Sequence, residues 1–204
     1  MFSCLVLDRL LACGKERAPT VRSEDLHIQL PCPEFAFDLQ PDVPTAFLKP
    51  LPSDKVTQLS AANDSVLARF IRLVDLWGEI SQFSFAGGRL VEEATEPWNE
   101  ASRFRQLREK LDDFYSELPS TFTLSKSNYH KHENHTGSSA FVSLHMLGSI
   151  CQIMLHREFA PFIPIHCKKP SGPLDRTTFA EGSAPTGFWE DSAEQMFKAV
   201  KDIV

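Results

Sequence analysis

Apolar residues recur every three or four positions in five segments of the chain, and no segment shows the strict alternation typical of a strand. The first segment runs from Phe2 to about Cys13, with Gly14 as the predicted stop. It begins abruptly, because no capping residue precedes Phe2. The apolar side of this predicted helix is formed by Phe2, Leu5, Val6 and Leu10.

The second predicted helix starts near Asn63 or Asp64, both good N-caps, and runs to about Phe85. Gly87 and Gly88 follow it and are typical of a helix C-cap. Residues at the spacing of one apolar face are Leu67, Phe70, Ile71, Val74 and Trp77.

The third predicted helix begins around Pro97, which suits a first turn, and ends before Pro119. Its near-heptad apolar stripe consists of Phe104, Leu107, Leu111, Phe114 and Leu118. The spacing predicts two ion pairs across one helical turn, Arg105 with Glu109 and Arg108 with Asp112.

The last two predicted helices lie in the C-terminal third. One runs from Ser139 to about Glu158 and carries Phe141, Leu144, Cys151, Met154 and Leu155. The other starts near Trp189 or Glu190 and continues to Val204, with Ala193, Phe197, Val200 and Val204 as its buried side. Because helical patterns run into both termini, we expect both ends to be cut from a longer protein.

Proline-rich and polar segments connect these helices. From Gly14 to about Ser53 we expect an extended connection, interrupted by Pro31, Pro33, Pro41, Pro44, Pro50 and Pro52. It should pack over helices through Leu30, Phe35, Phe37, Phe47 and Leu48. We expect Ser120 to Ser138 to be a mobile polar loop, and a second connector contains Pro161, Pro164, Pro170 and Pro173. The predicted fold is all-α, an irregular helical bundle with long Pro-rich connecting loops.

Composition narrows the functional classes. The 204 residues are 42% hydrophobic and 24% charged, as in ordinary globular proteins, and the formal net charge is −6. Direct contact with nucleic acid requires a basic face, and the densest basic stretch, Arg103 to Lys110, is interleaved with acidic residues. The N-terminus lacks the basic start of a signal peptide, and no apolar run reaches membrane-spanning length. We expect a soluble, intracellular protein that contacts neither nucleic acid nor membrane.

The metal-binding residue types do not form a recognisable site. The cysteines Cys4, Cys13, Cys32, Cys151 and Cys167 are odd in number and lack CxxC spacing. The nearest approach to a ligand set is His130, His132 and His135, in a segment that we interpret as a solvated loop. His145 and His156 share one helix but are about 16 Å apart, so they cannot hold one metal and are interpreted as hydrogen-bonded, partly buried side chains.

Catalytic constellations are also absent from the sequence. No serine has the context of a nucleophile elbow, and Gly87-Gly88 lacks the lysine and the glycine spacing of a phosphate-binding loop. The acidic pairs Asp112-Asp113 and Glu92-Glu93 should lie exposed on polar faces. We therefore assign no catalytic, cofactor-binding or metal-binding residues and no cofactor. If the chain were nevertheless an all-α enzyme, the residues to inspect would be His145, His156 and Glu158.

Several phrases, in order, resemble the fungal-specific transcription factor domain of zinc-cluster regulators, also called the middle homology region. Residues 2–31 carry Leu-Asp-Arg at Leu7 to Arg9, a glycine–proline turn from Gly14 to Pro19 and an acidic step into Leu30-Pro31. The insertion of residues 15–18 makes that turn atypical. Downstream, the similar phrases are Trp98 to Pro119, Phe141 to Glu158, Pro161-Phe162, Gly172-Pro173 and Gly187 to Ala193.

The resemblance implies an all-helical regulatory module that acts in the nucleus, in regulation of transcription by RNA polymerase II. Residues 1–53 would be the end of the family's regulatory domain, and 54–204 a downstream helical regulatory region. The zinc cluster of the family is missing, which agrees with truncation. Asp8 and Arg9 match the Leu-Asp-Arg motif, and we interpret them as structural. We expect a protein partner or a homodimer through helices, and a small-molecule inducer bound between helices is a further expectation.

Two other classes stay open at this point. One is an all-α enzyme with a small-molecule site, which would need a converging polar cluster inside the helices. The other is a passive interaction module or a nonfunctional fragment. A fragment without packing partners for its first helix should expose Phe2, Leu5 and Leu10.

Overall fold

A computed structural model describes residues 1–14, 17–34, 36, 43–49, 64–92, 95–133, 137–159, 172–173 and 183–203. The helices in this part of the chain are α1 (Phe2–Leu11), α2 (Val66–Phe85), α3 (Arg103–Ser116), α4 (Lys126–Glu133), α5 (Ser138–His156) and α6 (Phe188–Ile203). Short 3-10 turns occur at Ser23–Asp25, Gly88–Leu90 and Ser120–Phe122. Within the described ranges, pairing of extended backbone is limited to one isolated bridge between Gln29 and Phe47. The predicted all-α class is confirmed.

The chain divides into two compact units. The first unit comprises Met1–Ala12, Arg17–Asp75 and Leu118–His145, and the second comprises Cys13–Glu16, Leu76–Glu117 and Met146–Val204. The division therefore falls inside α2 and inside α5. The predicted boundary between residues 53 and 54 lies outside the described residues.

The hydrophobic core of the first unit joins α1, the extended connection and the first half of α2. Its buried members are Leu5, Leu26, Leu30, Leu48, Ala68 and Ile71. Within the connection, the N–H of Leu30 donates to the carbonyl of Ala46 at 2.8 Å and so joins two of its extended stretches. Burial of Leu30 and Leu48 confirms that the connection packs on helices, while Phe47 is half-buried. Phe35 and Phe37 lie outside the described residues.

Helix α1 has the predicted start and ends two residues early, at Leu11, ahead of Gly14 with its φ of +141°. The expectation that this helix exposes its apolar side is wrong for Leu5, which has no exposed surface. Phe2 and Val6 also pack against the core, whereas Leu10 is 39% exposed. The connection covers α1, and the sequence pattern of a single helix does not show such a cover.

Helix α2 is capped by Ser65, and not by Asn63 or Asp64 as predicted. The hydroxyl of Ser65 accepts a hydrogen bond from the N–H of Ala68 and donates to the carbonyl of Pro31. Asp64 instead pairs with Arg69 at 2.6 Å, and Asn63 lies outside the described residues. Ile71, Val74 and Trp77 are buried as predicted and Phe70 is half-buried, but Leu67 is 44% exposed.

All five residues of the predicted stripe are buried, four of them on α3 and Leu118 two residues beyond its end at Ser116. The predicted start at Pro97 is wrong: residues 97–101 form turns and the helix starts at Arg103. Glu92 caps it, since its carboxylate accepts from the N–H of Arg103 at 2.6 Å and from the Ser102 hydroxyl. The expectation that Glu92 lies on an exposed face is therefore wrong. Glu93 lies outside the described residues.

The predicted ion pairs of α3 are both present. Arg105 and Glu109 approach to 2.8 Å, and Arg108 and Asp112 to 3.7 Å. The neighbouring acidic pair Asp112-Asp113 is exposed, as expected.

The segment from Ser120 to Ser138, predicted to be a mobile loop, contains the turn Ser120–Phe122 and helix α4. The amide of Asn128 donates to the carbonyls of Ser120 and Thr123 at 2.8 and 2.9 Å. Residues 134–136, including His135, lie outside the described part.

Helix α5 carries the predicted apolar residues. Phe141, Leu144, Cys151 and Leu155 are buried, and Met154 is half-buried. Helix α5 is long and apolar enough to cross a membrane by length and composition alone, with a mean hydropathy of 1.4. This differs from the expectation that no segment of the chain reaches membrane-spanning length. Core helices of water-soluble proteins pass the same test, and α5 has two buried histidines that hydrogen-bond to neighbouring segments.

Helix α6 starts one residue before the predicted position, but its predicted buried side is wrong. Ala193 is buried, whereas Phe197 and Val200 are 46% and 41% exposed. Ser192 and Ala199 are buried instead. The aromatic side chains of Phe188 and Trp189 decide this rotation, because both join a ring cluster in the second unit. Val204 and the prolines 161, 164 and 170 lie outside the described residues.

Candidate functional site

Asp8 lies at the centre of a polar cluster in the first unit. Its carboxylate accepts hydrogen bonds from the backbone N–H groups of Thr20 and Val21, all at 3.0 Å, and from the Thr20 hydroxyl at 2.6 Å. The last turn of α1 is thereby joined to the chain twelve residues further on. A side chain, and not a tight turn, therefore holds residues 20 and 21 against the helix.

Arg9 extends the cluster to α2. Its guanidinium donates to the carbonyl of Val21 at 2.8 Å and lies 3.1 Å from Asp8 and 3.5 Å from Asp75. Asp75 also pairs with Lys49 at 2.7 Å. We call these four charged side chains the Asp8–Asp75 cluster; two acidic and two basic groups balance each other.

The Asp8–Asp75 cluster is largely buried. The side chains of Asp8, Arg9 and Asp75 are each less than 10% exposed. Burial raises the pKa of the Asp8 carboxyl, but the hydrogen bonds from Thr20 and Val21, with nearby Arg9, outweigh it and hold the pKa below its usual value. Removal of one partner from such a buried set leaves an uncompensated charge, which is strongly destabilising. The expected polar contacts of Asp8 and Arg9 with neighbouring segments are present.

A second polar cluster in the first unit surrounds the turn Ser120–Phe122. A ring N–H of His132 donates to the carbonyl of Thr121 at 3.1 Å, and one of His145 donates to the carbonyl of Phe122 at 3.0 Å. The His132 ring stacks on Phe141 with 4.5 Å between centroids and 17° between planes. The side-chain amide of Asn128 donates to the two adjoining carbonyls, those of Ser120 and Thr123. Side chains of α4 and α5 therefore donate to four consecutive carbonyls, 120–123. These contacts order a segment whose composition alone predicts a loop.

The second unit contains a cluster of aromatic rings around the start of α6. Phe104 and Phe159 are 4.4 Å apart at their centroids, Phe159 stacks on Trp189 at 6.2 Å, and Phe188 meets Trp98 at 5.4 Å. Phe104 and Phe159 are buried, and the other three rings are half-buried. Edge-to-face packing of this kind adds stability beyond the buried area.

His156 sits against this aromatic cluster. One ring nitrogen is 3.1 Å from the hydroxyl of Ser192, and the ring meets Phe104 edge-on at 5.6 Å. Burial lowers the pKa of His156 to about 4; Arg108 acts in the same direction and Asp191 opposes it. The imidazole is therefore neutral at physiological pH. As expected, both histidines of α5 are buried and hydrogen-bonded.

The residues singled out for an enzyme do not form one constellation. His145 belongs to the turn cluster of the first unit and His156 pairs with Ser192 in the second. Glu158 accepts a hydrogen bond from the Ser84 hydroxyl at 3.0 Å and lies near Arg157. Each of these three side chains therefore hydrogen-bonds to a different neighbour within the fold.

The buried thiol of α5, Cys151, is also unsuited to catalysis. Cys151 is fully buried, and burial raises the pKa of its thiol well above the usual value, so it stays protonated and unreactive. Burial likewise raises the pKa of the Tyr115 hydroxyl. Neither side chain is suited to proton transfer near neutral pH.

The metal hypothesis finds no ligand set among the residues that the structure describes, where no three His, Cys, Asp or Glu side chains could hold an ion. His130 is 3.1 Å from Glu133, and His132 faces a backbone carbonyl and an aromatic ring. His135 and Cys167 lie outside the described residues.

Charged contacts join α2 to α3 and α3 to α6 within the second unit. Lys110 lies 2.7 Å from Glu79, and Arg103 pairs with the same carboxylate. Burial raises the pKa of Glu79, but Lys110 and Arg103 outweigh it, so the carboxylate stays ionised. Arg108 lies 2.7 Å from Asp191 of α6.

Known proteins with similar sequences point to one functional class. The uncharacterized transcriptional regulatory protein PB1A11.04c of Schizosaccharomyces pombe is 27% identical over 207 residues, which cover 93% of this chain and 29% of that protein. The Zn(2)-C6 fungal-type transcription factor FTF1c of Fusarium oxysporum f. sp. lycopersici is 24% identical over 152 residues, covering 72% of this chain and 16% of its own length. The chain is a relative of fungal transcriptional regulators.

A further fungal regulator extends this relationship. The uncharacterized transcriptional regulatory protein C530.11c of Schizosaccharomyces pombe is 24% identical over 187 residues, covering 83% of this chain and 22% of that protein. The chain spans less than a third of the length of each of these three curated relatives. No family model matches the chain, and no solved structure matches it. These relatives are named as regulators of transcription and not as enzymes.

Sequence reasoning found two members of the Asp8–Asp75 cluster and missed the other two. Asp75 stands inside the buried run of α2 between Val74 and Leu76, and a lone carboxylate in such a run indicates a buried partner. That signal could have pointed to Asp75, whereas Lys49 lies in the extended connection and carries no such signal. Glu92 and Glu79 had no comparable signal, because their partners lie at least ten residues away.

Proposed function

We propose that this chain is the helical regulatory part of a fungal zinc-cluster transcription factor, a part that does not contact DNA. It would act in the nucleus, in control of transcription by RNA polymerase II. The observation that carries the proposal is the alignment with a fungal transcriptional regulatory protein over 93% of the chain. The proposal places the chain within the regulatory region that the middle homology resemblance indicates.

The charges of α3 support the absence of DNA contact. Its basic side chains are the densest in the chain, yet Arg103 and Lys110 face Glu79, while Arg105 faces Glu109. Binding to phosphates would have to break these pairs before counterion release could favour the complex. The net charge of −6 adds a repulsive term.

The Asp8–Asp75 cluster supports a regulatory module over a catalytic one. It uses the charged residues of the Leu-Asp-Arg motif to fix α1, the connection and α2 in one arrangement. Such a rigid arrangement presents helical surfaces to partners, and the described polar groups face one another instead of a substrate. The zinc cluster that reads DNA would lie elsewhere in the longer protein.

Recruitment of the chain to a promoter tests this function. The whole chain is fused to a DNA-binding domain of known operator, and reporter expression is compared with that of the DNA-binding domain alone. We expect a change in expression that disappears when the operator is removed. The same chain without the fused domain should not raise the fluorescence anisotropy of labelled duplex DNA at moderate salt. Unchanged expression with the fusion, or DNA binding by the unfused chain, would overturn the proposal.

A further inference from the structure

Thr20 carries an exposed hydroxyl with an arginine three positions before it. Arg17 opens the sequence Arg-Ala-Pro-Thr, and both residues are exposed in the irregular segment 17–22. Among all serines and threonines of the 204-residue sequence, Thr20 alone has an arginine at this distance. Arginine-directed protein kinases select their acceptors by such a charge, which acidic groups of the substrate groove bind. An exposed irregular segment can enter such a groove with little rearrangement of the fold.

The hydroxyl of Thr20 also takes part in the contact that fixes the end of α1. It donates to the carboxylate of Asp8 at 2.6 Å, and the backbone N–H groups of Thr20 and Val21 donate to the same carboxylate at 3.0 Å. Arg9 reaches this segment as well, since its guanidinium donates to the carbonyl of Val21 at 2.8 Å. A chemical change at this one hydroxyl therefore acts directly on the connection between α1 and the chain that follows it.

We propose that Thr20 is a phosphorylation site for an arginine-directed kinase and that its phosphorylation releases residues 20 and 21 from α1. The kinase transfers the γ-phosphoryl group of a nucleoside triphosphate to Oγ1 of Thr20. The Oγ1–P bond forms, the bond between this phosphorus and the β-phosphate oxygen breaks, and the hydroxyl proton is lost as the nucleoside diphosphate leaves. Thr20 thereby exchanges a hydrogen-bond donor for a group with a charge of about −2 at neutral pH.

The added phosphate meets a carboxylate where the hydroxyl met an acceptor. Asp8 is ionised at neutral pH, so neither group can donate a hydrogen bond to the other. Two like charges that are held within hydrogen-bonding distance in a largely buried site repel each other, and the segment that carries Thr20 moves away. This movement also takes the N–H groups of residues 20 and 21 away from the carboxylate of Asp8.

The nearby cations are already committed to other carboxylates. Arg9 lies 3.1 Å from Asp8 and 3.5 Å from Asp75 of α2, so it can follow the phosphate only by leaving them. Arg22 lies 3.5 Å from Asp25 at the surface. The net effect of the phosphate is therefore to open the contact and not to tighten it.

The switch is local because the apolar contacts of α1 do not depend on Thr20. Leu5 is buried in the core of the first unit, and Phe2 and Val6 pack against that core. The phosphorylated chain therefore stays folded while the end of α1 separates from the segment that follows it. A modification that adds charge acts in this way when it disrupts one defined contact of a folded domain. This inference is independent of the function proposed above.

Hydrogen exchange of the phosphorylated chain tests both parts of the proposal. The full chain is incubated with a purified arginine-directed serine/threonine kinase and MgATP, and mass spectrometry locates the phosphate. We expect phosphate on Thr20 that is absent from Thr20→Val. In the phosphorylated chain, the N–H groups of Thr20 and Val21 should exchange at least about tenfold faster, because they lose their acceptor. The N–H of Leu30, which donates to the carbonyl of Ala46 in the same unit, should keep its rate.

Two variants separate repulsion from the loss of the hydroxyl. Thr20→Val lacks the hydroxyl but adds no charge, so its Val21 N–H should exchange less than about threefold faster than in the wild type. Asp8→Asn keeps an acceptor without the charge, so phosphate on Thr20 should accelerate exchange in D8N by less than about threefold. The comparison with T20V leaves Asp8 unchanged and decides the question if D8N does not fold.

Three results would overturn the proposal. The first is a lack of phosphate on Thr20 in the full chain, whether or not a peptide of residues 14–27 is modified by the same kinase. The second is exchange at residues 20 and 21 that is unchanged or slower after phosphorylation. The third is an acceleration by phosphate that is no larger than that of T20V, or that is equally large in folded D8N.

Discussion

The carboxylate of Asp8 accepts a hydrogen bond from the backbone N–H of Thr20, twelve residues further along the chain, at 3.0 Å. This contact closes the connection that follows α1 onto the end of the helix. The side chain of Asp8 therefore fixes the start of this long connection against the helix. Arg9 continues the contact to Asp75 of α2, so one acidic side chain helps to position three segments.

Asp8→Ala should destabilise the protein by about 2–3 kcal/mol, because it removes an ionised acceptor from two backbone N–H groups and a hydroxyl in a largely buried site. Equilibrium unfolding in urea measures this change. The control is Asp25→Ala, whose side chain is 67% exposed in its pair with Arg22. That variant should differ from the wild type by less than about 0.5 kcal/mol. Equal effects at both positions would contradict the anchoring role of Asp8.

His156 should make the stability of the second unit depend on pH. Its pKa is about 4 in the folded protein and 6.5 without perturbation, so the unfolded chain binds the additional proton between these values. Stability contributed by the neutral imidazole is complete above pH 6.5 and falls as the pH drops towards 4, by a total of the order of 3 kcal/mol. Urea unfolding at a series of pH values measures this fall.

A matched variant separates His156 from the other histidines. His156→Gln should be less stable at neutral pH and should lose much of the pH dependence in this window. His130→Gln, at a side chain that is 57% exposed, should retain it. A wild-type stability that stays flat from pH 7 to pH 5 would show that His156 is not buried in its neutral form.

Any side chain at Gly88 should destabilise the protein. Its φ is +52°, and a Cβ at this position would collide with the carboxylate of Glu158, which Ser84 holds. Gly88→Ala should therefore cost about 1–3 kcal/mol. Gly187→Ala shares the positive φ, at +83°, but a Cβ there meets nothing within 4 Å, so it should cost less. In a Glu158→Ala background, Gly88→Ala should cost no more stability than Gly187→Ala. A larger cost there would show that the collision with Glu158 is not the cause.

Glu79→Gln should lower stability by about 1 kcal/mol, because it removes one charge that Arg103 and Lys110 share. The effect should shrink as salt rises from about 0.05 M to about 1 M, since the pair is partly exposed. Glu109→Gln in the exposed pair with Arg105 should cost a third to a half as much. A salt-independent effect at Glu79 would indicate lost packing instead of lost charge.

Helices whose apolar residues match the buried face were predictable from the sequence. The stripe of α3, from Phe104 to Phe114, is buried throughout because its large side chains all lie on one face. In α6 the same reasoning selected the wrong face. There Phe188 and Trp189 anchor the start of the helix among other rings and turn Phe197 outward.

Hydrophobic periodicity could not predict which polar segments are ordered by side-chain hydrogen bonds. The segment around α4 has the composition of a loop, and its order comes from Asn128, His132 and His145 donating to carbonyls of the turn at 120–122. His145 reaches that turn from 23 residues away. The start of α3 was misplaced for the same reason, because its cap is the side chain of Glu92 and not a neighbouring residue.

Reporter expression with matched variants of the promoter-tethered chain is the most direct test that the folded helical module regulates transcription. Leu111→Asp puts a charge at a position with no exposed surface and should unfold the second unit. Gln106→Asp introduces the same residue at an exposed position of the same helix. We predict that the wild type and Q106D change expression to the same extent and that L111D gives the level of the DNA-binding domain alone. Expression that is unchanged by the wild type, or changed equally by L111D at equal protein level, would contradict regulation by this fold.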